Sequence, residues 1–360
     1  MMPLTGEASC KRRCGMSRLL LAAWVAMACG RGVAETPKAE TEVELLRDAR
    51  FVRGVTQGYA NHLSPAERAA CQRNWESKGI TDAQWLFWEI CETLHFADNK
   101  ATPEVPRRGT YIWSTADKAK QCRIDNGTVR MILDTGKEWR EGGRLDQPDR
   151  EGRIPRYGNP LTNWPHFMLG QHLTGNNDPL APIPDADKQI LNRHRRLRFM
   201  ASVRLNRLQK SGAWDHREEF GAANHAIFYV GFVLMPRCAS RISEHGKFYA
   251  LAPLIYSEGD GRHVPGSLPW LGIDQFGDAV YFSGAQPTLK IGTWVEYDID
   301  VKQLIREGLA AASQRALRNG WAKTYLQEDY FLAIVLIGWE IWGGFDTDVE
   351  FRNLSLRGVR

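Results

Sequence analysis

Glu340 is flanked by Trp339 and Trp342. A carboxylate set among indoles is a candidate general acid or base, because apolar surroundings favour its protonated form. A glutamate bonded to an arginine for structural reasons is the competing reading. A second candidate lies in Trp164-Pro165-His166, followed closely by Gln171-His172. If this stretch is a strand, His166, Met168 and Gly170 share one face and Phe167, Leu169 and Gln171 the other. A histidine there could move a proton in a lyase or hydrolase, or simply bond a backbone group at a sheet edge. Glu340 and His166 are thus the catalytic candidates, should the protein be an enzyme.

Glu296-Tyr297-Asp298-Ile299-Asp300 sets acids at alternating positions. Paired carboxylates roughly 5–5.5 Å apart are how retaining glycosidases divide their labour. Asp300, however, reads better as a helix cap. Glu296 remains a binding candidate on a face that also carries Trp294. The chain has 13 tryptophans. An indole offers a flat, polarisable surface to the C–H face of a sugar ring, and nearby polar groups bond the hydroxyls. Trp139, Trp214 and Trp270 stand in or beside turn-rich polar stretches and are the candidate platforms, although most tryptophans are core residues. Arg195 lies in the basic run Asn192-Arg193-His194-Arg195-Arg196-Leu197-Arg198. Bordering a groove, it would favour acidic sugars, since arginine grips a carboxylate or sulfate with two parallel hydrogen bonds.

Other chemistries leave no trace. There is no Gly-x-Ser-x-Gly and no phosphate loop. No cysteine or histidine set has metal-ligand spacing, and nothing calls for a cofactor. The 47 basic and 42 acidic residues suggest a cationic protein, but residues 1–34 hold five of the basic residues and one acidic residue. The remaining 42 against 41 leaves a near-neutral body with no general pull on nucleic acid.

The first residues read as an export signal. Lys11, Arg12, Arg13 and Arg18 precede the apolar run from Leu19 to Ala28, which is too short to span a bilayer. Gly32-Val33-Ala34 offers small residues for cleavage, so the exported chain should begin near Glu35, in the periplasm, outer envelope or medium. Cys29 loosely resembles a lipid attachment site. No later run is long enough to span a membrane. Cys71, Cys91, Cys122 and Cys238 remain in an oxidising compartment, as disulfides or buried thiols.

These residues need elements to position them. Ser64-Pro65-Ala66-Glu67 starts a helix that runs to about Lys78. Thr81 or Asp82 caps a second, with Trp85, Trp88, Cys91 or Glu92, and His95 at helical spacing through Asp98. Cys71 and Cys91 would then sit on successive helices, where a bridge is geometrically reasonable. After Pro103 and Pro106 the texture turns to short β-branched and aromatic runs divided by Gly, Pro, Asn and Asp. The expected strands are 110–114, 121–125, 128–134, 166–173, 197–207, 225–236, 248–256, 270–275, 279–282, 293–298, 330–342 and 349–356. Asp125-Asn126-Gly127-Thr128 is a tight hairpin turn. One helix from Asp300 to Gly320 interrupts the series. Val295, Tyr297 and Ile299 oppose Trp294, Glu296 and Asp298 across their strand, and Ala333–Trp342 reads as a central strand, apolar on both faces until Glu340.

Many strands without βαβ alternation predict a mainly β, antiparallel β-sandwich with a short helical N-terminal segment and one inserted helix. The expected organisation is a signal peptide over 1–34, a polar lead-in and helical segment over 35–105, and a β-sandwich domain over 106–360. Two stretches give this a more particular form: Gly292-Thr293-Trp294-Val295-Glu296-Tyr297-Asp298-Ile299-Asp300 before a helix, and the closing Asp348-Val349-Glu350-Phe351-Arg352-Asn353-Leu354-Ser355-Leu356. From about Phe199 onward the chain resembles the jelly-roll sandwiches of carbohydrate-binding modules and polysaccharide-degrading enzymes. The resemblance carries no catalytic motif. It implies a partner that is carbohydrate, bound without catalysis, and the basic run at 192–198 adds an acidic polysaccharide to the candidates. A polysaccharide lyase or glycoside hydrolase of sandwich fold is the alternative, and a structural envelope protein the third.

Overall fold

The alternating segments form two sheets that share one apolar interior. The computed structural model describes residues 41–51, 55–57, 88–91, 104–107, 110–114, 118–137, 166–173, 190–211, 225–237, 249–259, 270–273, 279–284, 287, 289–321, 324–342 and 344–360. All belong to the unit Glu40–Arg360; the other unit, Met1–Ala39, lies outside the described residues. The strands are β1 (Glu42–Glu44), β2 (Thr56–Gln57), β3 (Glu89–Cys91), β4 (Glu104–Arg107), β5 (Thr110–Ser114), β6 (Lys120–Asp125), β7 (Thr128–Leu133), β8 (His166–His172), β9 (Arg196–Lys210), β10 (His225–Pro236), β11 (Tyr249–Gly259), β12 (Trp270–Ile273), β13 (Ala279–Gly284), β14 (Trp294–Asp300), β15 (Tyr330–Trp342) and β16 (Phe345–Val359). A one-turn helix α1 (Ile190–Arg193) precedes β9, and α2 (Val301–Arg318) follows β14.

The first sheet has the order β14-β9-β16-β7-β6-β5-β4, with β1 added to β16; the second runs β12-β13-β11-β10-β15-β8-β3-β2. The β11–β13 and β2–β3 pairs are parallel and the other strand pairs antiparallel. This is the expected mainly β, antiparallel, jelly-roll-like sandwich. Period-two burial drives it. Val129, Met131 and Leu133 of β7 are buried while Thr128, Arg130 and Ile132 between them are partly exposed. The two inner faces interlock through Phe228 against Phe351, with ring centroids 6.4 Å apart, and Phe199 against Phe232 at 5.7 Å. Each such fully buried ring contributes about 1.5–3 kcal/mol.

Local chemistry sets the connections. Asn126 and Gly127 take φ of 48° and 79°, the positive values a two-residue hairpin demands. The Asp300 side chain accepts from the Gln303 amide at 3.0 Å and starts α2. The helix buries Val301, Leu304, Ile305, Leu309, Ala312 and Ala316 against β9 and the β11–β13 edge. β15 is central, between β10 and β8.

One expectation fails. Where a helix was expected from Thr81 or Asp82 to Asp98, Glu89–Cys91 is a strand that pairs with β2 and β8. Ile90 and Trp88 are buried in the main core, and the Trp88 indole donates to the Asp48 carbonyl at 3.1 Å. Sheet pairing here overrides a spacing that mimics a helical stripe. With Cys91 on a strand, the bridge to Cys71 loses its two-helix basis; Cys71 lies outside the described residues, as does the helix expected over 64–78. Cys122 is a free, buried thiol that burial makes much harder to ionise. Among the described residues no helix is long and apolar enough to cross a membrane, which says nothing about strands.

Candidate functional site

The second sheet has an outer face with its own small apolar cluster, separate from the main core. Met168 of β8, Ile227 and Tyr229 of β10, and Phe282 of β13 are its buried members, with Val280 and Leu336 packed at its side. Alternation explains it. Phe167, Leu169 and Gln171 turn to the interior, so Met168 and Gly170 must turn outward, as the sequence reading of β8 predicts. The Tyr229 and Phe282 rings meet edge to face at 5.7 Å.

Glu340 stands on this face. Its Cα partners are His166 on β8 and Ile227 on β10. The two candidate acid–base residues, 174 positions apart in sequence, are therefore opposite one another in the β8–β15 ladder. The Tyr229 hydroxyl donates to Glu340 Oε1 at 2.8 Å and lies 3.6 Å from Met168 Sδ. Glu340 is half-buried, so one side of its carboxylate is held by the phenol and the group still reaches solvent.

Two glycines make the arrangement fit. A Cβ on Gly231 would come within 3.2 Å of the Tyr229 ring, and one on Gly338 would lie 2.3 Å from the Phe167 carbonyl oxygen. Gly231 leaves the ring its place, and Gly338 lets β8 and β15 approach beside Glu340. His172, further along β8, is partly buried, and burial pushes its pKa below the ordinary histidine value.

The other candidates are scattered. Trp270 opens β12 and is the Cα partner of Phe282. Trp139 and Trp214 lie outside the described residues. Trp294 and Glu296 are on β14, on the outer face of the first sheet and away from Glu340. The Trp294 ring is covered by guanidinium groups, with Arg352 at 4.1 Å and Arg204 at 4.8 Å from its centroid. Glu296 takes the Ser202 hydroxyl at 2.6–2.7 Å. Arg195 is exposed between α1 and β9, its amide bonded to the Val359 carbonyl at 2.7 Å. Asp300 is the helix cap, as expected.

Tyr229 was not legible as a site residue. It sits inside the apolar run Ala226-Ile227-Phe228-Tyr229-Val230, and only the register to β15 brings it to Glu340. Glu89 is also new. It is the Cα partner of Gly170 on β8.

A carboxylate held by a phenol beside apolar side chains can accept hydrogen bonds from hydroxyls or carry a proton. The fold and this site define a β-sandwich with a polar group on one sheet's outer face. The chain matches no protein-family model and no curated protein. Solved structures similar to it include the endoglucanase cel12A from Rhodothermus marinus, at 14% identity over 75% of this chain and 99% of that one, with a TM-score of 0.36. The family 11 xylanase from Neocallimastix patriciarum aligns at 10% identity over 75% and 100%, with a TM-score of 0.32. The xyloglucanase domain of a Sinorhizobium fredii effector, solved with cellobiose, aligns at 10% over 72% and 96%, with a TM-score of 0.31. These neighbours are of the polysaccharide-degrading type that the sequence resembles. At such identities and TM-scores the likeness carries no argument about what this chain does.

Proposed function

We propose that this protein is an exported carbohydrate-binding β-sandwich that holds a poly- or oligosaccharide on the outer face of its second sheet. The observation that carries the reading is the Tyr229–Glu340 pair, an oriented and half-exposed carboxylate beside an apolar cluster. Polar groups that are few, fixed and set among apolar side chains are the general form of a small-molecule site. The carboxylate accepts sugar hydroxyls, and Trp270, at the edge of the same sheet, supplies the aromatic platform.

Turnover is the second reading, favoured by the register that sets His166 opposite Glu340. Glu340 would then be the acid or base of a glycoside hydrolase or polysaccharide lyase.

One pair of assays tests both. Wild type, Tyr229→Phe and Glu340→Gln are titrated with soluble β-glucans and xylans by calorimetry, and reducing ends are counted on the same panel. For a binder, Tyr229→Phe weakens affinity by about 1 kcal/mol, the worth of one hydrogen bond. Glu340→Gln weakens it more, and no reducing ends appear. If wild type releases reducing ends and Glu340→Gln abolishes this while still binding, the catalytic reading replaces the first. Binding to no glycan would remove both.

A further inference from the structure

The outer face of the first sheet carries a set of arginines, and nearly all of its central ones meet a carboxylate. Arg204 pairs with Glu350 and Arg198 with Asp298. Arg130 bonds Asp348 through Nε at 2.9 Å and Nη2 at 2.5 Å, and Arg357 meets Glu42 at 3.0 Å. Arg352 differs. Among the described residues it has no ion pair. Its guanidinium lies 4.1 Å from the Trp294 ring centroid, and its Nε is sealed from solvent with no hydrogen-bond partner. A cation stacked on an indole is oriented by the ring and partly stripped of water, yet its charge is unspent.

The complementary group is close by in register. Arg352 on β16, Ser202 on β9 and Glu296 on β14 are successive Cα partners across three strands. Glu296 is exposed, and its described partner is a neutral hydroxyl rather than an arginine. The face thus presents one unmatched cation and one unmatched anion, two strand spacings or about 10 Å apart at Cα. That is the scale of a single sugar unit held between two side chains. The acids nearest in the ladder, Glu350 and Asp348, are already neutralised by Arg204 and Arg130, so they do not cancel the pull of Arg352 on an incoming anion.

We propose that Arg352, braced by Trp294, and Glu296 form a second site, specific for an anionic sugar. Arg352 takes the carboxylate of a uronate, or a sulfate ester, through parallel N–H groups, and Glu296 accepts hydrogen bonds from ring hydroxyls. Because the Trp294 ring is occupied by guanidinium groups, the indole orients the arginine and does not stack on the sugar. This site is on the opposite sheet from Glu340 and does not depend on what that residue does.

The test uses the full protein and four polymers: polygalacturonate, its methyl ester, dextran sulfate and dextran. Affinities are measured by calorimetry for wild type, Arg352→Gln, Arg352→Lys, Glu296→Gln and Arg198→Gln, with melting curves to show that each variant folds. Wild type should bind polygalacturonate and not its methyl ester. Arg352→Gln should weaken binding about tenfold or more, the scale of a charge-assisted bidentate contact, and Arg352→Lys should restore only part. Glu296→Gln should weaken it less. Arg198→Gln removes the same charge from the same face and should leave binding intact. Binding of dextran sulfate alone, lost in Arg352→Gln, keeps the site and assigns it to sulfate esters. The proposal fails if Arg352→Gln binds like wild type, if Arg198→Gln loses as much as Arg352→Gln, or if no anionic polymer binds.

Discussion

On the first sheet's outer face, arginines and carboxylates face one another from strand to strand, and water reaches many of them: the Arg130 side chain is 41% exposed and that of Asp298 53%. On the second sheet's outer face, Met168, Ile227, Tyr229 and Phe282 are all buried although they point away from the sandwich interior. One interior therefore supports two unlike surfaces. The difference separates two kinds of electrostatics. An exposed ion pair is worth about 0–1 kcal/mol, because solvent screens it and two long side chains must be held still. A half-buried carboxylate held by a phenol beside apolar side chains is less screened by water, and each hydrogen bond to it weighs more. Recognition of charge suits the first face, and proton chemistry or oriented hydrogen bonding suits the second.

The comparison is broken hardest at Gly338. Adding a methyl there sets a Cβ 2.3 Å from the Phe167 carbonyl oxygen and 2.6 Å from Met168 Cα, both in β8 and neither able to move alone. Gly338→Ala must spread β8 from β15 in the middle of the second sheet. We expect a loss of about 3 kcal/mol or more in urea unfolding, together with loss of any function centred on Glu340. A variant as stable as wild type would mean that the second face is not built on this close approach. On the first face, Asp348→Asn is the matching probe. Asp348 accepts from Arg130 twice and from Asn206 at 3.2 Å, and is itself nearly buried. Because Arg130 can turn its charge to water, the expected loss is smaller, about 1–2 kcal/mol. A cost equal to that of Gly338→Ala would erase the contrast.

These two sites also mark how far the sequence can be read. The strands of both sheets announce themselves as β-branched and aromatic runs bounded by Gly, Pro, Asn and Asp, so the ranges 110–114, 225–236 and 330–342 coincide with β5, β10 and β15. The Asn126-Gly127 turn and the Asp300 cap are legible because their chemistry is local. β1, β2, β3 and β4 are not, since each has only two to four residues and owes its shape to the strand it joins. The same limit governs the sites. Glu340 and His166 stand out by their neighbours in sequence, but that they are paired across the β8–β15 ladder depends on a register joining distant segments. Arg352 is one arginine among many until register sets it beside Trp294 and leaves it without a carboxylate.

The smallest expected effect separates the faces along the pH axis. Burial lowers the pKa of His172 on β8, so the folded state prefers the neutral ring. The unfolded chain, titrating near 6.5, binds the proton more readily. The stabilisation is therefore complete above about pH 6.5 and is lost as pH falls below it toward the depressed value. Asp298 on the first face is also lowered, chiefly by the hydrogen bond from Arg198. Its unfolded value is near 3.9, so its contribution holds through neutral and mildly acid pH and fades only below about 4. Melting curves between pH 7.5 and 5 should then distinguish the two. Wild type should lose about 1–2 °C more over that range than His172→Gln, the order of shift a fraction of a kcal/mol produces in a domain of this size. Asp298→Asn should track wild type over the same interval and differ from it in slope only at lower pH. If His172→Gln follows wild type throughout, the histidine is as free to protonate in the folded chain as in the unfolded one, and the second face is wetter than its buried neighbours imply.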